Sequence, residues 1–177
     1  MGSLRPGRTY RNLKQPYTRK SKYKSKSFVK IAQQPRITQF HSGGKMADFD
    51  TKVVVISKRT LQIRDNALEA ARIVANKYLT DNLGETGFHL FVVKFPHQVL
   101  REHRFATIAG ADRFSSGMQK SFGKPIGLAA RLFAGDEIFE IFLNKENVKI
   151  GKETAKKIGK KLGFPVLAIV SQARVSS

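Results

Sequence analysis

From residue 52 onward the apolar positions fall into runs whose period switches between that of a strand and that of a helix. Lys52–Ser57 carries the β-branched run Val53-Val54-Val55-Ile56, and Leu61–Arg64 makes a short second strand. Asp65 or Asn66 is placed to cap a helix running to about Asn82, with Glu69 in its first turn where the helix dipole favours an anion. Leu68, Ala71, Val74, Ala75, Tyr78 and Leu79 recur at helical spacing, and Gly84 and Gly87 end the helix. Phe88–Phe95 is apolar on both faces, as in a central strand; Pro96 stops it, and Val99–His103 is expected to form a helical turn. Ile126–Phe133 and Glu137–Leu143 read as a hairpin around Ala134-Gly135-Asp136. Lys152–Leu162 predicts a second helix with Ala155, Ile158 and Leu162 inward and Lys156, Lys157, Lys160 and Lys161 outward, and Pro165–Ser171 a last strand.

The predicted fold class is therefore α+β: a two-layer sandwich in which two helices cover one face of a mostly antiparallel sheet. A basic arm (1–46) precedes the globular domain (47–177), and a long internal loop (101–124) interrupts it. Hydrophobic residues make up 41% of the 177, including 13 Phe, so a core can form.

The arm has no acidic residue, while Pro6, Pro16 and Pro35 disfavour a continuous helix, so it is expected to be extended and mobile. A solvated tail or a localisation signal would share that composition. Tyr10, Tyr17 and Tyr23, however, are interleaved with Arg5, Arg8, Arg11, Arg19, Lys20, Lys22 and Lys24. Aromatic faces stack on unpaired bases while cations hold phosphates, so the arm is read as RNA-threading.

Charge extends that reading to the whole chain. Lys and Arg number 33 against 13 Asp and Glu, a formal charge of +20, and such self-repulsion is relieved by a polyanion. A membrane fits less well: no apolar run approaches the ~20 residues of a spanning helix, and residues 1–30 have no signal-like segment. The loop is rich in Gly, Ala and Ser, and its Arg101, Arg104, Arg113, Lys120 and Lys124, with His103, outweigh Glu102 and Asp112. Small residues let backbone approach a crowded ligand, and arginines grip phosphate bidentately, so an RNA contact explains the loop better than an idle surface excursion.

Catalytic constellations are not legible. The absence of Cys removes thiol chemistry and cysteine-ligated zinc. His41, His89, His97 and His103 lack metal-ligand spacing, and Asp48, Asp50, Asp65, Glu69, Asp112 and Asp136 are scattered over strand ends, helix starts and turns. Gly117–Pro125 fails the phosphate-loop spacing, and no Gly-x-Ser-x-Gly elbow is present. A non-enzymatic binding protein with no cofactor and no metal is expected.

Three stretches carry a resemblance: Ile63-Arg64-Asp65-Asn66-Ala67-Leu68-Glu69-Ala70-Ala71-Arg72 with Asn76-Lys77-Tyr78; Phe95-Pro96-His97 with Val99-Leu100-Arg101-Glu102; and Gly110-Ala111-Asp112-Arg113 through Phe122-Gly123-Lys124-Pro125-Ile126-Gly127 to Arg131. With Tyr10-Arg11 and Pro16-Tyr17-Thr18-Arg19-Lys20 in the arm, the chain resembles the large-subunit ribosomal protein sixteen family in its archaeal and eukaryotic branch, the ten-e form. The resemblance implies a ribosome-bound, cytoplasmic protein that binds large-subunit rRNA near the central protuberance and the aminoacyl-tRNA cleft, with loop 101–124 approaching tRNA acceptor ends near the peptidyl transferase centre. It also implies neighbouring ribosomal proteins as partners, with 5S rRNA a further candidate, and no homo-oligomer. Arg64, Arg72 and Lys77 join the arm cations as expected backbone contacts. Two departures from the family stand out: Thr9 where archaeal members often have Cys, and a Lys/Ser-rich stretch over 21–34. Charge by itself leaves a DNA-compacting chromosomal protein as the alternative.

Overall fold

The computed structural model describes residues 5–13, 34–103 and 123–172. Its element order is β1 (His41–Gly43), β2 (Thr51–Ser57), β3 (Leu61–Arg64), α1 (Asp65–Leu83), β4 (His89–Val92), β5 (Gln98–Glu102), β6 (Lys124–Leu132), β7 (Glu137–Leu143), α2 (Val148–Leu162) and β8 (Val166–Gln172). The architecture is α+β as expected, but the antiparallel strands divide between two sheets: a five-stranded one ordered β1-β4-β7-β2-β8 and a three-stranded one ordered β3-β6-β5.

The central strands of the larger sheet are buried on both faces, and their alternate positions line the main core. Val53 and Val55 of β2 are fully buried, and they pair with Ile141 and Phe139 of β7, which are also fully buried. Leu68, Ala71, Ala75 and Leu79 of α1 and Ala155, Ile158 and Leu162 of α2 face the same core, which Leu61, Ile63, Ala130 and Leu132 of the smaller sheet close. The two helices are cross-linked at their exposed rim: the Tyr78 hydroxyl donates to Glu153 at 2.5 Å, and Lys157 Nζ lies 3.3 Å from the Tyr78 ring centroid. The Glu153 hydrogen bond raises the Tyr78 phenol above its ordinary range.

Several expectations are corrected. Val99–His103 is not a helical turn, because Gln98–Glu102 is an edge strand paired with β6. A short apolar run has no decisive period, and the partner strand settled its conformation. The turn at Ala134-Gly135-Asp136 exists, yet its flanking strands do not form a hairpin: β6 pairs with β3 and β5, β7 with β2 and β4. The turn bonds instead to the end of β2, where Gly135 N–H donates to Ser57 O and Ser57 N–H to Asp136 O, both at 2.9 Å. Asp65 is the first helical residue and Arg64 the N-cap; the Asp65 carboxylate accepts from Asn66 N–H (2.8 Å) and from Arg36 N–H (3.1 Å). Helix α2 begins at Val148, a turn before Lys152.

The folded body also starts earlier than residue 47. Ile37 is fully buried in the core, and β1 adds to the sheet by pairing with β4. Gly43 has φ +98°, and a Cβ there would meet the Phe88 carbonyl oxygen at 2.2 Å, so only glycine permits this approach. His89 on β4 bonds the Gly44 carbonyl at 2.6 Å and so fixes the next residue.

Burial raises the Asp136 carboxyl, but the Lys94 hydrogen bond, the Phe133 N–H and the Lys94 charge together hold it below its ordinary value of 3.8. Its folded-state affinity for a proton is therefore lower than in the unfolded chain, so its stabilisation is complete above that ordinary value and is lost as the pH falls below it through the lower folded-state pKa. Acid titration followed by circular dichroism should show Asp136→Asn less stable than the parent at neutral pH, with the two curves converging below about pH 4. Parallel curves would contradict this assignment.

Candidate nucleic-acid interface

Residues 5–13 run along β3, the edge strand of the three-stranded sheet. The segment forms a 3-10 turn over Gly7–Tyr10, and Gln62 N–H then donates to Arg11 O at 2.9 Å. Arg64 Nη1 donates to the Arg5 carbonyl at 2.8 Å, so Arg64 positions the arm. Arg5 in turn reaches across the sheet to Glu102 on β5, Nε to Oε1 at 2.6 Å. Arg11 lies at the C-terminus of α2, where a Cβ on Gly163 would be 3.3 Å from its Nη2 and where the helix dipole favours a cation.

Glu102 is also one side of the root from which the long loop departs. At that root β5 and β6 pair Glu102 with Lys124, and the Arg101 guanidinium donates to Gly123 O at 3.0 Å. Gly123 has φ +75°, and a Cβ there would lie 2.8 Å from the Glu102 carbonyl carbon, which only glycine tolerates. Burial lowers the pKa of Arg101. Residues 5–13 of the arm and the root of the loop, separate in the sequence, thus meet on one sheet, and the Arg5–Glu102 ion pair ties them together.

The other expected contact residues divide. Arg8 and Lys77 are exposed, while Tyr10 and Arg11 are half-buried. Arg72 is engaged inside the protein by a two-pronged pair with Glu69 at 2.6 and 2.9 Å, whose hydrogen bonds raise its pKa despite burial. Its task here is holding α1 together. His103 and Lys124 sit at the two sides of the loop root. Tyr17, Arg19, Lys20, Lys22, Tyr23, Lys24, Arg104, Arg113 and Lys120 lie outside the described residues.

Further cations stand out in the structure although sequence reasoning did not rank them as contacts. Lys149, Lys152, Lys156 and Lys160 are exposed on α2 at spacings of three and four, a single row along one face. That spacing was the signal available in the sequence. Arg131, opposite Gln62 on β6, has its Nε buried without a hydrogen-bond partner among the described residues. No signal in the sequence singled it out.

Among the described residues no group of three His, Asp or Glu is placed to hold a metal ion, and no helix is long and apolar enough to cross a membrane. What the surface offers is fixed positive charge, chemistry suited to binding phosphate.

Comparison with known proteins is consistent with this. The family model for ribosomal protein L16p/L10e matches residues 13–169. The chain is 46% identical over 170 residues to the large ribosomal subunit protein uL16 of Metallosphaera sedula, covering 94% of each chain. It is 40% identical over 168 residues to that of Archaeoglobus fulgidus, covering 95% of this chain and 93% of the relative. With that of Thermofilum pendens the identity is 42% over 172 residues, covering 97% and 99%.

Gly123→Ala should cost about 1–3 kcal/mol by forcing a side chain into the left-handed region against backbone. Urea denaturation should show the loss, and hydrogen exchange should show Glu102 and His103 exchanging faster; an unchanged midpoint would refute the close packing of the root.

Proposed function

The chain belongs to the ribosomal protein L16p/L10e family, structural and non-enzymatic constituents of the large ribosomal subunit, and from that premise we propose how its parts divide the work. It is ribosome-bound, with rRNA and ribosomal proteins as its partners. In our reading the folded body seats on large-subunit rRNA near the central protuberance and the aminoacyl-tRNA cleft, within reach of 5S rRNA. The basic arm ahead of Ile37 neutralises phosphates and stacks tyrosines on unpaired bases, and the loop between β5 and β6 extends toward tRNA acceptor ends near the peptidyl transferase centre. RNA performs that chemistry, and the protein props and orients. It works in the cytoplasm and does not assemble with copies of itself.

The observation that carries this reading is the Arg5–Glu102 ion pair, because it brings the N-terminal part of the cationic arm to the root of the loop. An interface built there can bind rRNA with the arm while it aims the loop. The joint also gives the scarce anion Glu102 a purpose: it fixes Arg5 at the root, beside Lys124 across the β5–β6 pairing.

The affinity for large-subunit rRNA should fall steeply with salt, and replacing Arg19, Lys20, Lys22 and Lys24 by Gln should flatten the log–log slope by about 0.7–0.9 for each phosphate no longer neutralised. Filter binding across a salt series measures this; equal slopes would remove the arm from the interface. Duplex DNA as competitor, if it displaced the rRNA at equal concentration, would favour a chromosomal role instead.

Exchanging Ala106–Ser116 for a short linker should spare incorporation into subunits and slow peptide-bond formation. Full activity of subunits carrying the shortened loop would defeat its proposed reach toward tRNA.

A further inference from the structure

Away from residues 5–13 and the root of the loop, three connecting segments meet: residues 57–60, 93–97 and 133–136. Their junction is unusually well fixed. Phe133 N–H donates to Asp136 Oδ2 at 3.0 Å, the same oxygen takes Lys94 Nζ at 2.8 Å, and Asp136 N–H returns to Phe133 O at 3.1 Å. Ala134 N–H donates to Thr60 Oγ1 at 3.2 Å, Val93 N–H to Ile138 O at 3.0 Å, and the Ser57 hydroxyl to Arg59 O at 2.7 Å.

This rigid frame presents two phenylalanines to solvent. Phe133 is 55% and Phe95 53% exposed, the two most exposed large apolar side chains among the described residues. Neither ring takes part in the hydrogen bonds that hold the turns, so polar residues would serve those turns as well. Phe95 is supported from behind by Phe40, ring centroids 5.6 Å apart and 29° from parallel. Lys58 and Arg59 are exposed beside the turn, as is His97 beyond Phe95, and of the two adjacent carboxylates, Asp136 and Glu137, the first is neutralised by Lys94.

Aromatic faces held rigidly beside uncommitted cations match the chemistry of a nucleotide whose base is unpaired: the ring stacks on the base and the cations take the flanking phosphates. A protein partner seated on apolar contacts would gain nothing from Lys58 and Arg59 at the rim, and paired RNA offers no free base face.

We propose that Phe133 and Phe95, framed by Lys58 and Arg59, form a stacking seat for an unpaired nucleotide, distinct from the Arg5–Glu102 joint. The seat deepens the RNA-binding reading and rests on it.

The chain contains no Trp, so Phe133→Trp installs a single indole reporter at an exposed position. Its emission should be quenched when the full-length protein binds single-stranded oligoadenylate, and should stay unmoved when a labelled blunt RNA duplex is bound to the same extent, as judged by anisotropy. Phe133→Leu should weaken oligoadenylate binding about ten-fold and leave duplex binding unchanged, with Phe133→Trp restoring the parent affinity.

RNA that binds fully without quenching, or a Phe133→Leu variant equal to the parent on both RNAs, would overturn the seat and leave the ribosomal reading intact. Quenching that occurs only in assembled subunits and never with free RNA would assign the corner to a neighbouring protein, also against the proposal. Failure of the parent to bind any RNA would remove both.

Discussion

Thirteen carboxylates against 33 lysines and arginines leave most of the positive charge without an internal counter-ion. The structure uses those few anions to join parts of the chain that are far apart in sequence. Asp65 receives Arg36 N–H, Glu102 binds Arg5, Asp136 binds Lys94, Glu140 binds Lys52 at 2.9 Å and Glu153 takes the Tyr78 hydroxyl. Surface ion pairs are individually weak, about 0.2–1 kcal/mol. Their value here is placement: each pins an edge, a turn or a helix rim, while the hydrophobic core supplies the bulk of the stability. The cations left over remain available for an external polyanion, which in a constituent of the large ribosomal subunit is rRNA.

The division of cations into internal and external duties was not legible from the sequence. Arg64 and Arg72 look the same as Arg8 in a linear reading, yet Arg64 holds a main-chain carbonyl and Arg72 a carboxylate one helical turn away. The Glu69–Arg72 spacing could have disclosed the second case, since residues three apart on a helix are neighbours. Arg64 could not have been assigned, because its partner is 59 residues away.

Elements with strong periodicity were read well, those decided by tertiary partners less so. The buried positions of α1 and the valines of β2 follow from spacing alone. β5 was misread because five residues carry too little pattern to separate a strand from a helical turn, and its pairing with β6 decided the matter. The supposed hairpin failed for a related reason: sequence locates a tight turn but not the neighbours of the strands it joins. Ile37 escaped notice because one apolar residue among cations and prolines looks like part of the arm, although it is wholly buried.

β8 lies at the outer edge of the five-stranded sheet, and its residues Val166–Gln172 contain no charge and no proline. Leu167, Ile169 and Val170 are each more than a third exposed. Among the described residues this edge shows none of the charges or prolines that usually guard against strand addition by another copy. A surplus of free chain is therefore a hazard to the cell that makes it, which places a physical premium on matching its synthesis to the supply of ribosomal RNA.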